Sequence, residues 1–216
     1  MQTVLFHSTI FGPIHSRRLG VSLGVNLMPN DGKICSFDCL YCEAGYNAQG
    51  AGTTGIPSRD TVKRQLRDKL KQMQANGDSL DVITFSGNGE PTLHPSFKDI
   101  VHDVTVLRDR YYPQAKVSVL SNATMAANPR VKQALLAVDN NILKLDSAVA
   151  RTMRLINRPA SANVLPAGII EDLAEYGGKC IVQTMILRGE HNGERIDNTT
   201  TAEIDALIDA YKRIRP

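Results

Sequence analysis

Apolar runs rich in β-branched residues alternate along the chain with amphipathic runs of helical spacing. This alternation is typical of βα units, in which parallel strands are joined by helices that cover the sheet. The apolar runs are nearly continuous, as expected for strands that are buried on both faces. The pattern therefore predicts an α/β fold with five strands, over residues 21–27, 80–85, 116–120, 141–145 and 180–187.

The segments between these strands carry recognisable helix starts and stops. Ser58 is suited to cap a helix over residues 59–76, and Gly77 is suited to end it. Other starts are predicted where a capping residue precedes the run or where proline occupies its first turn. These signals give helices over 97–110 after Ser96, from Asn128–Pro129 onward, after Ser147, from Leu165–Pro166 to Gly177–Gly178, and over 201–214.

Chain length and charge limit the class of protein. The 216 residues suffice for one well-buried domain, so we expect a single domain over residues 1–216. No stretch approaches the roughly 18 apolar residues of a membrane helix, and the amino terminus lacks the features of a secretory signal, which predicts a cytoplasmic protein. The net charge of +3 is mild and tryptophan is absent, so neither feature favours nucleic acid as a partner.

Three of the four cysteines, Cys35, Cys39 and Cys42, lie close together directly after the first predicted strand. Without a secretion signal, such a cluster is more typical of a metal site than of disulfides. Structural zinc sites and common iron–sulfur clusters take four protein ligands, but Cys180 is predicted at the opposite end of the sheet. The pattern favours a four-iron (4Fe-4S) cluster with three thiolate ligands and one open iron. A zinc site completed by Cys180 or a histidine is the alternative.

An open iron is suited to chelate a small cofactor with adjacent amine and carboxylate groups, which gives the site a catalytic interpretation. The spacing of the cysteines, with Tyr41 directly before Cys42, resembles the radical S-adenosylmethionine (radical SAM) superfamily. Residues 12–20 and 22–26 are similar to the branch that includes tRNA wyosine-base synthetases and many uncharacterised bacterial proteins. The resemblance covers most of the chain and implies a 4Fe-4S cluster on the three cysteines, with S-adenosylmethionine (SAM) as cofactor.

A glycine-rich turn with a carboxylate follows the second predicted strand. Its glycines allow close approach of a ligand to the backbone, and Glu90 adds a negative charge beside them. A carboxylate and backbone carbonyls suit an ammonium group. The resemblance implies that this element binds the amino group of the cofactor's methionine part through Gly87, Asn88, Gly89 and Glu90. A turn ended by Pro91, without a ligand, is the structural alternative.

Polar residues also follow the third and fourth predicted strands, at the sheet edge where parallel sheets collect their chemistry. The resemblance implies that Asn122 and Asp146 bind the ribose and the methionine carboxylate, and that Tyr41 lies beside the adenine. A turn role for Asn122 is the alternative. The sequence assigns no residue that acts directly on a substrate. Weaker candidates are Ser121, Lys144, Ser147, Thr184 and Met185 near the cofactor, and Arg17, Arg18, Arg151, Arg154 and Arg158 for an anionic substrate, whereas His94 and Cys180 are interpreted as structural.

The resemblance implies an enzyme whose reduced cluster cleaves SAM to methionine and a 5′-deoxyadenosyl radical, which abstracts hydrogen from an unassigned substrate. An electron donor such as a flavodoxin or ferredoxin is the implied partner. The implied fold is a partial (β/α) barrel of six strands, of which five are evident and the sixth is missing at the carboxyl end. The chain is therefore either truncated there, or its barrel is closed by something else.

Two other functions are weighed against this one. Radical modification of a guanine in transfer RNA, of the wyosine type, has no support from upstream cysteines for a second cluster. An iron–sulfur protein without catalysis would not need Glu90 and the glycines of the same turn. The motifs therefore favour a SAM-cleaving enzyme.

Overall fold

Six strands form the central sheet of the molecule, and five of them are those that the hydrophobic pattern predicts. They are β1 (Ile10–Ser16), β2 (Gly20–Val25), β3 (Val82–Phe85), β4 (Lys116–Ser121), β5 (Asn140–Lys144) and β6 (Ile181–Gln183). They are ordered along the sheet as they are in the chain; β1 is antiparallel to β2, and all other neighbours are parallel. The computed structural model describes residues 3–216. It confirms the α/β class and the partial barrel.

Six α-helices lie within these residues, and caps fix the ends of several. Ser58 Oγ accepts a hydrogen bond from the backbone N of Thr61 at 3.2 Å, and Asn128 Oδ1 accepts from Arg130 N at 3.0 Å. No helix in the described part of the chain is long and apolar enough to cross a membrane. The helices are α1 (Arg59–Asn76), α2 (Phe97–Tyr111), α3 (Pro129–Leu135), α4 (Ala150–Asn157), α5 (Pro166–Ala174) and α6 (Thr201–Ile214).

Two predicted helix caps do not form. α4 begins at Ala150, and Ser147 instead accepts from the backbone N of Val149 at 2.9 Å and donates to Glu203 at 2.6 Å. Ser96 does precede α2, but its side chain makes no capping hydrogen bond. Its ψ of 21° is far from the extended conformation that directs a capping side chain toward the first turn.

Strand β1 was not predicted, because Gly12 and Pro13 interrupt its sequence. Proline is tolerated on an edge strand, because one side of the strand's backbone needs no hydrogen-bond partner. The register of β1 against β2 shifts between Phe11 and Ile14, on either side of Gly12 and Pro13. Conversely, the strand predicted over 180–187 is shorter. The backbone N of Met185 donates to the Asp146 carboxylate at 2.8 Å, which takes the chain away from β5 after Gln183. A separate antiparallel hairpin follows, formed by β7 (Arg188–His191) and β8 (Glu194–Asp197).

One face of the sheet is apolar and packs under the helices. Phe85 of β3 is fully buried, and its ring meets that of Phe97 in α2 edge to face, with 5.9 Å between the ring centroids. Burial of this apolar face removes a large hydrophobic area from water and fixes the helices on the sheet. Its buried residues include Leu23, Val25, Ile83, Phe85, Val117, Val119 and Leu143.

The opposite face of the sheet is largely polar. Ser22 and Thr84 share a hydrogen bond of 2.9 Å across β2 and β3, and Asn140 Nδ2 donates to Ser118 Oγ at 2.8 Å across β5 and β4. A cavity of about 700 Å³ opens here, lined both by the β1–β2 turn and by β4, β5 and β6. Because one cavity touches elements from both edges of the sheet, the sheet curls as a partial barrel does.

We predict that Phe85→Ala lowers the free energy of unfolding by about 3–5 kcal/mol, because it empties a packed site between the sheet and α2. Val106→Ala, on the exposed side of the same helix, should change stability by about 0.5 kcal/mol at most. Urea unfolding followed by circular dichroism measures both variants. Equal losses in the two variants would contradict this account of the core.

Candidate functional site

The three clustered cysteines lie on a loop between β2 and α1, at the carboxyl ends of the parallel strands. Cys35, Cys39 and Cys42 line one cavity of about 230 Å³. Phe37 and Tyr41 of the same loop also line it. The other lining residues come from the ends of β3, β4, β5 and β6, which brings residues far apart in the chain to one place. They are Ser86, Gly87, Gly89, Glu90, Leu120, Ser121, Asn122, Lys144 and Gln183.

The glycine-rich turn after β3 is joined to the cysteine loop by backbone hydrogen bonds. Ile34 N donates to Asn88 O at 3.2 Å, and Glu90 N donates to Ile34 O at 3.0 Å, as in a parallel bridge. Gly89 has φ +140°, and a Cβ there would lie 1.9 Å from the Ile34 oxygen. Glycine at this position therefore allows the turn and the cysteine loop to meet backbone to backbone.

Asn88 does not line the cavity, in contrast to its flanking glycines. Its side chain is fully buried and faces the amino-terminal segment, where Nδ2 donates to Phe6 O at 2.9 Å and Oδ1 accepts from Phe6 N at 2.9 Å. Nδ2 also donates to Pro29 O at 2.8 Å. All of these partners are backbone groups, so the side chain of Asn88 fixes the turn from the side away from the cavity.

The Glu90 carboxylate is buried at the cavity wall and is held by four donors. Oε1 accepts from Thr92 N, Thr92 Oγ1 and Ser121 Oγ at 3.1, 2.5 and 2.8 Å, and Oε2 accepts from Asn122 N at 2.7 Å. Burial raises the pKa of Glu90, and these hydrogen bonds oppose the rise. Ser121, which the sequence suggested as a residue near the cofactor, thus donates a hydrogen bond to Glu90. The carboxylate is rigid and lies within reach of a cation placed in the cavity.

Asn122 faces the first cysteine. Its Nδ2 donates to Ser36 Oγ at 2.8 Å and lies 3.5 Å from Cys35 Sγ, while Oδ1 accepts from Thr124 N at 3.0 Å. The Thr124 contacts determine which end of the amide faces the sulfur. Asn122, predicted to bind the cofactor, therefore lies in the cavity wall, and its amide nitrogen bonds to the cysteine loop.

Asp146 does not line the cavity but lies behind Tyr41. It is almost completely buried and accepts from Tyr41 OH, from Asn157 Nδ2 at 2.6 Å and from Met185 N at 2.8 Å. The Lys144 ammonium lies 3.8 Å from the same carboxylate and 5.0 Å from the centroid of the Tyr41 ring. These contacts fix the ring of Tyr41 at the cavity wall. Asp146 therefore orients Tyr41.

The end of α4 and the residues after it hold the cysteine loop from the other side. Asp38 N donates to Asn157 O at 2.8 Å, and Leu40 N donates to Ile156 O at 2.9 Å. Arg158 makes an ion pair with the Asp38 carboxylate, and its Nε donates to Asp38 O at 2.8 Å. Arg158, which the sequence suggested for binding an anionic substrate, is thus paired with Asp38 of the cysteine loop.

Asn157 was not identified from the sequence. Its Nδ2 lies 3.4 Å from Cys39 Sγ in addition to its bond with Asp146. No motif marks this position, because the contact exists only once α4 has packed against a loop about 120 residues earlier in the chain. The only sequence signal nearby is the adjacent Arg158.

Burial raises the pKa of the Cys35 thiol to about 12, and the charge of Glu90 adds to the rise. Burial also raises the pKa of Cys39, and the hydrogen bond from Asn157 opposes that rise. A neutral thiol sulfur accepts hydrogen bonds only weakly, whereas metal coordination removes the thiol proton and leaves a strong acceptor. Two amide groups directed at two thiols therefore fit metal-bound thiolates better than free thiols.

No group of three or more His, Cys, Asp or Glu side chains among residues 3–216 is arranged to hold a single metal ion. In a four-iron cluster each thiolate binds a different iron, so the thiols line a cavity and need not converge on one point. Cys180 is buried before β6 and is absent from the cavity wall, as is every histidine in this range. His94 bonds to Pro57 O at 2.9 Å and to Ser96 N at 3.0 Å.

The remaining candidates lie apart from the cysteines. Arg17 and Arg18 line the larger cavity and have no carboxylate within 4.0 Å among the described residues, whereas Arg151 lies on the surface 3.9 Å from Glu194. Thr184 donates to Leu145 O at 2.6 Å. Met185 and Arg154 are exposed, and Ser147 bonds to Glu203.

We predict that Gly89→Ala separates the glycine-rich turn from the cysteine loop, because its Cβ would overlap the Ile34 oxygen and its φ is positive. The expected loss of unfolding free energy is about 2–4 kcal/mol. Gly168→Ala in α5, where a Cβ meets no atom within 4 Å, is the matched control and should stabilise by about 0.5–1 kcal/mol. Urea unfolding measures both variants, and a neutral effect of Gly89→Ala would refute the proposed contact.

Comparison with known proteins adds a family to this geometry. The chain is 33% identical over 181 residues to a UPF0026 protein of Methanocaldococcus jannaschii, covering 82% of the chain and 53% of that protein. It is 33% identical over 186 residues to a UPF0026 protein of Synechocystis, covering 83% and 64%. A protein of Brachyspira hyodysenteriae named GTPase Obg is 28% identical over 96% of the chain, which spans only 28% of that protein. The chain is thus shorter than these relatives.

Solved structures share the fold at low sequence identity. A radical SAM methyltransferase from Sphaerobacter thermophilus matches with a TM-score of 0.57 and 14% identity, over 88% of this chain and 52% of that one. Native anSMEcpe with bound AdoMet matches with a TM-score of 0.56 and 16% identity, over 88% and 48%. Archaeal TYW1 matches with a TM-score of 0.52 and 13% identity, over 89% and 61%. These likenesses establish the fold alone.

The family model for the radical SAM superfamily matches residues 30–202, a range that includes the cysteine loop, the glycine-rich turn, Asn122 and Asn157. The chain therefore belongs to the radical SAM superfamily.

Proposed function

We propose that the protein is an enzyme that binds a 4Fe-4S cluster and SAM in the cysteine-lined cavity and uses them to abstract hydrogen from a substrate. The observation that carries the proposal is the meeting of three thiols with Glu90 at one cavity. A protein that only stores a cluster would have no use for a buried, rigidly held carboxylate beside it. When bound, the cluster and SAM supply an electron and a 5′-deoxyadenosyl radical.

Cys35, Cys39 and Cys42 would hold the cluster, leaving one iron without a protein ligand. The surrounding residues are suited to this task because the loop is bonded on both sides. Ile34 bonds to the glycine-rich turn, and residues 38 and 40 bond to residues 156–158. Phe37 and Tyr41 add apolar surface to the cavity beside the thiols.

Glu90 and its neighbouring glycines would bind the methionine part of SAM. Gly87 and Gly89 leave backbone exposed at the cavity, and the Glu90 carboxylate is suited to accept from an ammonium group. The side chain of Asn88 would contribute only by fixing the turn. Tyr41, held by Asp146, would offer its ring to the adenine, so Asp146 would act through Tyr41.

The larger cavity is the place where we expect the substrate. It shares Leu120 and Gln183 with the cysteine-lined cavity, so a molecule bound there adjoins the proposed cofactor site. Ile142, Ile181 and Val182 offer it apolar contacts, and Arg17 and Arg18 offer positive charge at the β1–β2 turn. This lining suits a substrate with an apolar part and an acidic group.

We propose residues 1–216 as one radical SAM core domain, reduced by an electron donor such as a flavodoxin or ferredoxin. Modification of a transfer RNA guanine remains the second candidate from the sequence, and no contact in the described residues favours it. A non-catalytic iron–sulfur role is the third. Both enzymatic candidates require 5′-deoxyadenosine to form, whereas the third does not.

We predict that Cys39→Ala abolishes both cluster binding and SAM cleavage, because it removes one of three thiolate ligands. After anaerobic reconstitution, its iron content should fall well below that of the unaltered protein, and 5′-deoxyadenosine should fall to background. Cys180→Ala, which removes a buried cysteine away from the cavity, is the control and should retain both. Full 5′-deoxyadenosine formation by Cys39→Ala would refute the ligand assignment.

We predict that Glu90→Gln weakens SAM binding by about 10- to 100-fold while iron content is retained, because a charged hydrogen-bond acceptor contributes about 1.5–3 kcal/mol. Glu203→Gln is the matched control, since Glu203 is also buried but bonds to Ser147. Equilibrium dialysis with labelled SAM measures both. Unchanged affinity in Glu90→Gln would remove Glu90 from the site.

A further inference from the structure

Two asparagines outside the cysteine loop each direct an amide group at a different cysteine sulfur. Asn122 Nδ2 lies 3.5 Å from Cys35 Sγ, and Asn157 Nδ2 lies 3.4 Å from Cys39 Sγ. Asn122 follows β4 and Asn157 ends α4, so the two contacts come from separate parts of the fold. Among residues 3–216, no side chain donates a hydrogen bond to Cys42 Sγ, whereas Cys35 and Cys39 each receive one from an asparagine.

Hydrogen bonds to neighbouring groups orient both amides. Asn122 Nδ2 donates to Ser36 Oγ at 2.8 Å, and Asn122 Oδ1 accepts from Thr124 N and Thr124 Oγ1. Asn157 Nδ2 donates to the Asp146 carboxylate at 2.6 Å. An amide nitrogen carries two hydrogens, so in each case one is anchored on oxygen and the other remains for sulfur. The orientation of the donors therefore does not depend on the sulfur contact.

The backbone of each asparagine is also tied to the site. Asn157 O accepts from Asp38 N at 2.8 Å, which joins it to the residue before Cys39. Asn122 N donates to Glu90 Oε2 at 2.7 Å. Both side chains are buried, with 6% and 1% of Asn122 and Asn157 exposed. Because both amides are buried, a hydrogen bond from them to a charged sulfur is stronger than it would be in water.

We propose that Asn122 and Asn157 are positioning residues that raise the reduction potential of the cluster through N–H···S hydrogen bonds to Cys35 and Cys39. This inference rests on the proposed function, since it requires the cluster. A reduced cluster carries one more negative charge than the oxidised one, so donors at its thiolates stabilise the reduced form more. The two asparagines thus ease entry of the electron on which the proposed reaction depends.

The test is a redox titration of the anaerobically reconstituted protein, followed by the visible absorbance of its cluster. Asn122→Leu and Asn157→Leu keep the side-chain volume and remove the donor. At a given applied potential, each should lower the ratio of reduced to oxidised cluster by about tenfold, which is a midpoint lower by about 59 mV for one electron. The double variant should show about the product of the two changes, because the donors act on different sulfurs.

Asn141→Leu is the matched control, because Asn141 is a buried amide of β5 that donates to Lys179 O at 3.3 Å and not to a thiol. It should keep the midpoint of the unaltered protein. Asn122→Gln and Asn157→Gln, which retain a donor, should restore part of each lost potential. If a leucine variant assembles no cluster, the isosteric Asn→Asp variant replaces it, and its midpoint should fall at least as far.

The proposal is overturned if the leucine or aspartate variants bind a full complement of iron and titrate with the midpoint of the unaltered protein. It is likewise overturned if Asn141→Leu shifts the midpoint as much as they do. Failure of the proposed function has a different signature, because the unaltered protein itself would then assemble no iron–sulfur chromophore.

Discussion

The attachment of the cysteine loop on both sides is the constraint on which the site depends. On one side, Ile34 pairs with Gly89 and Glu90 after β3; on the other, Asp38 and Leu40 bond to the end of α4. A loop of this length without such contacts would lose considerable conformational entropy on ordering. The backbone bonds supply that order before any ligand binds, so the three cysteines line one cavity.

The same contacts connect the candidate residues into one structure. Glu90 accepts from Asn122, Asn122 faces Cys35, Asn157 faces Cys39, and Asp146 joins Asn157 to Tyr41. Many polar groups around the cavity therefore bond to one another, while the ring of Tyr41 and the backbone of Gly87 and Gly89 also line it. The polar inner face of the sheet continues from this wall into the larger cavity, which suits a substrate next to the cofactor.

Much of this could be predicted from the sequence where the signal is local. Hydrophobic runs gave the five parallel strands, Ser58 and Gly77 gave the bounds of α1, and the cysteine spacing gave the family. Strand β1 was missed because Gly12–Pro13 is untypical of strands, and β6 was extended too far because the contact of Met185 with Asp146 is tertiary. Asn157 was missed for the same reason. Asn88 and Asp146 were expected to bind the cofactor; their side chains bond to the amino-terminal segment and to Tyr41, contacts that only the folded chain shows.

The central claim is that three cysteines hold a four-iron cluster with one iron free for SAM. Mössbauer spectroscopy of protein reconstituted with ⁵⁷Fe tests it most directly. We expect a cubane cluster on each chain in which the signal of a single iron changes when SAM is added. A SAM analogue whose methionine carboxyl and amino groups are both blocked should cause no such change. Stoichiometric zinc without an iron chromophore, or a cluster whose irons are all indifferent to SAM, would contradict the account.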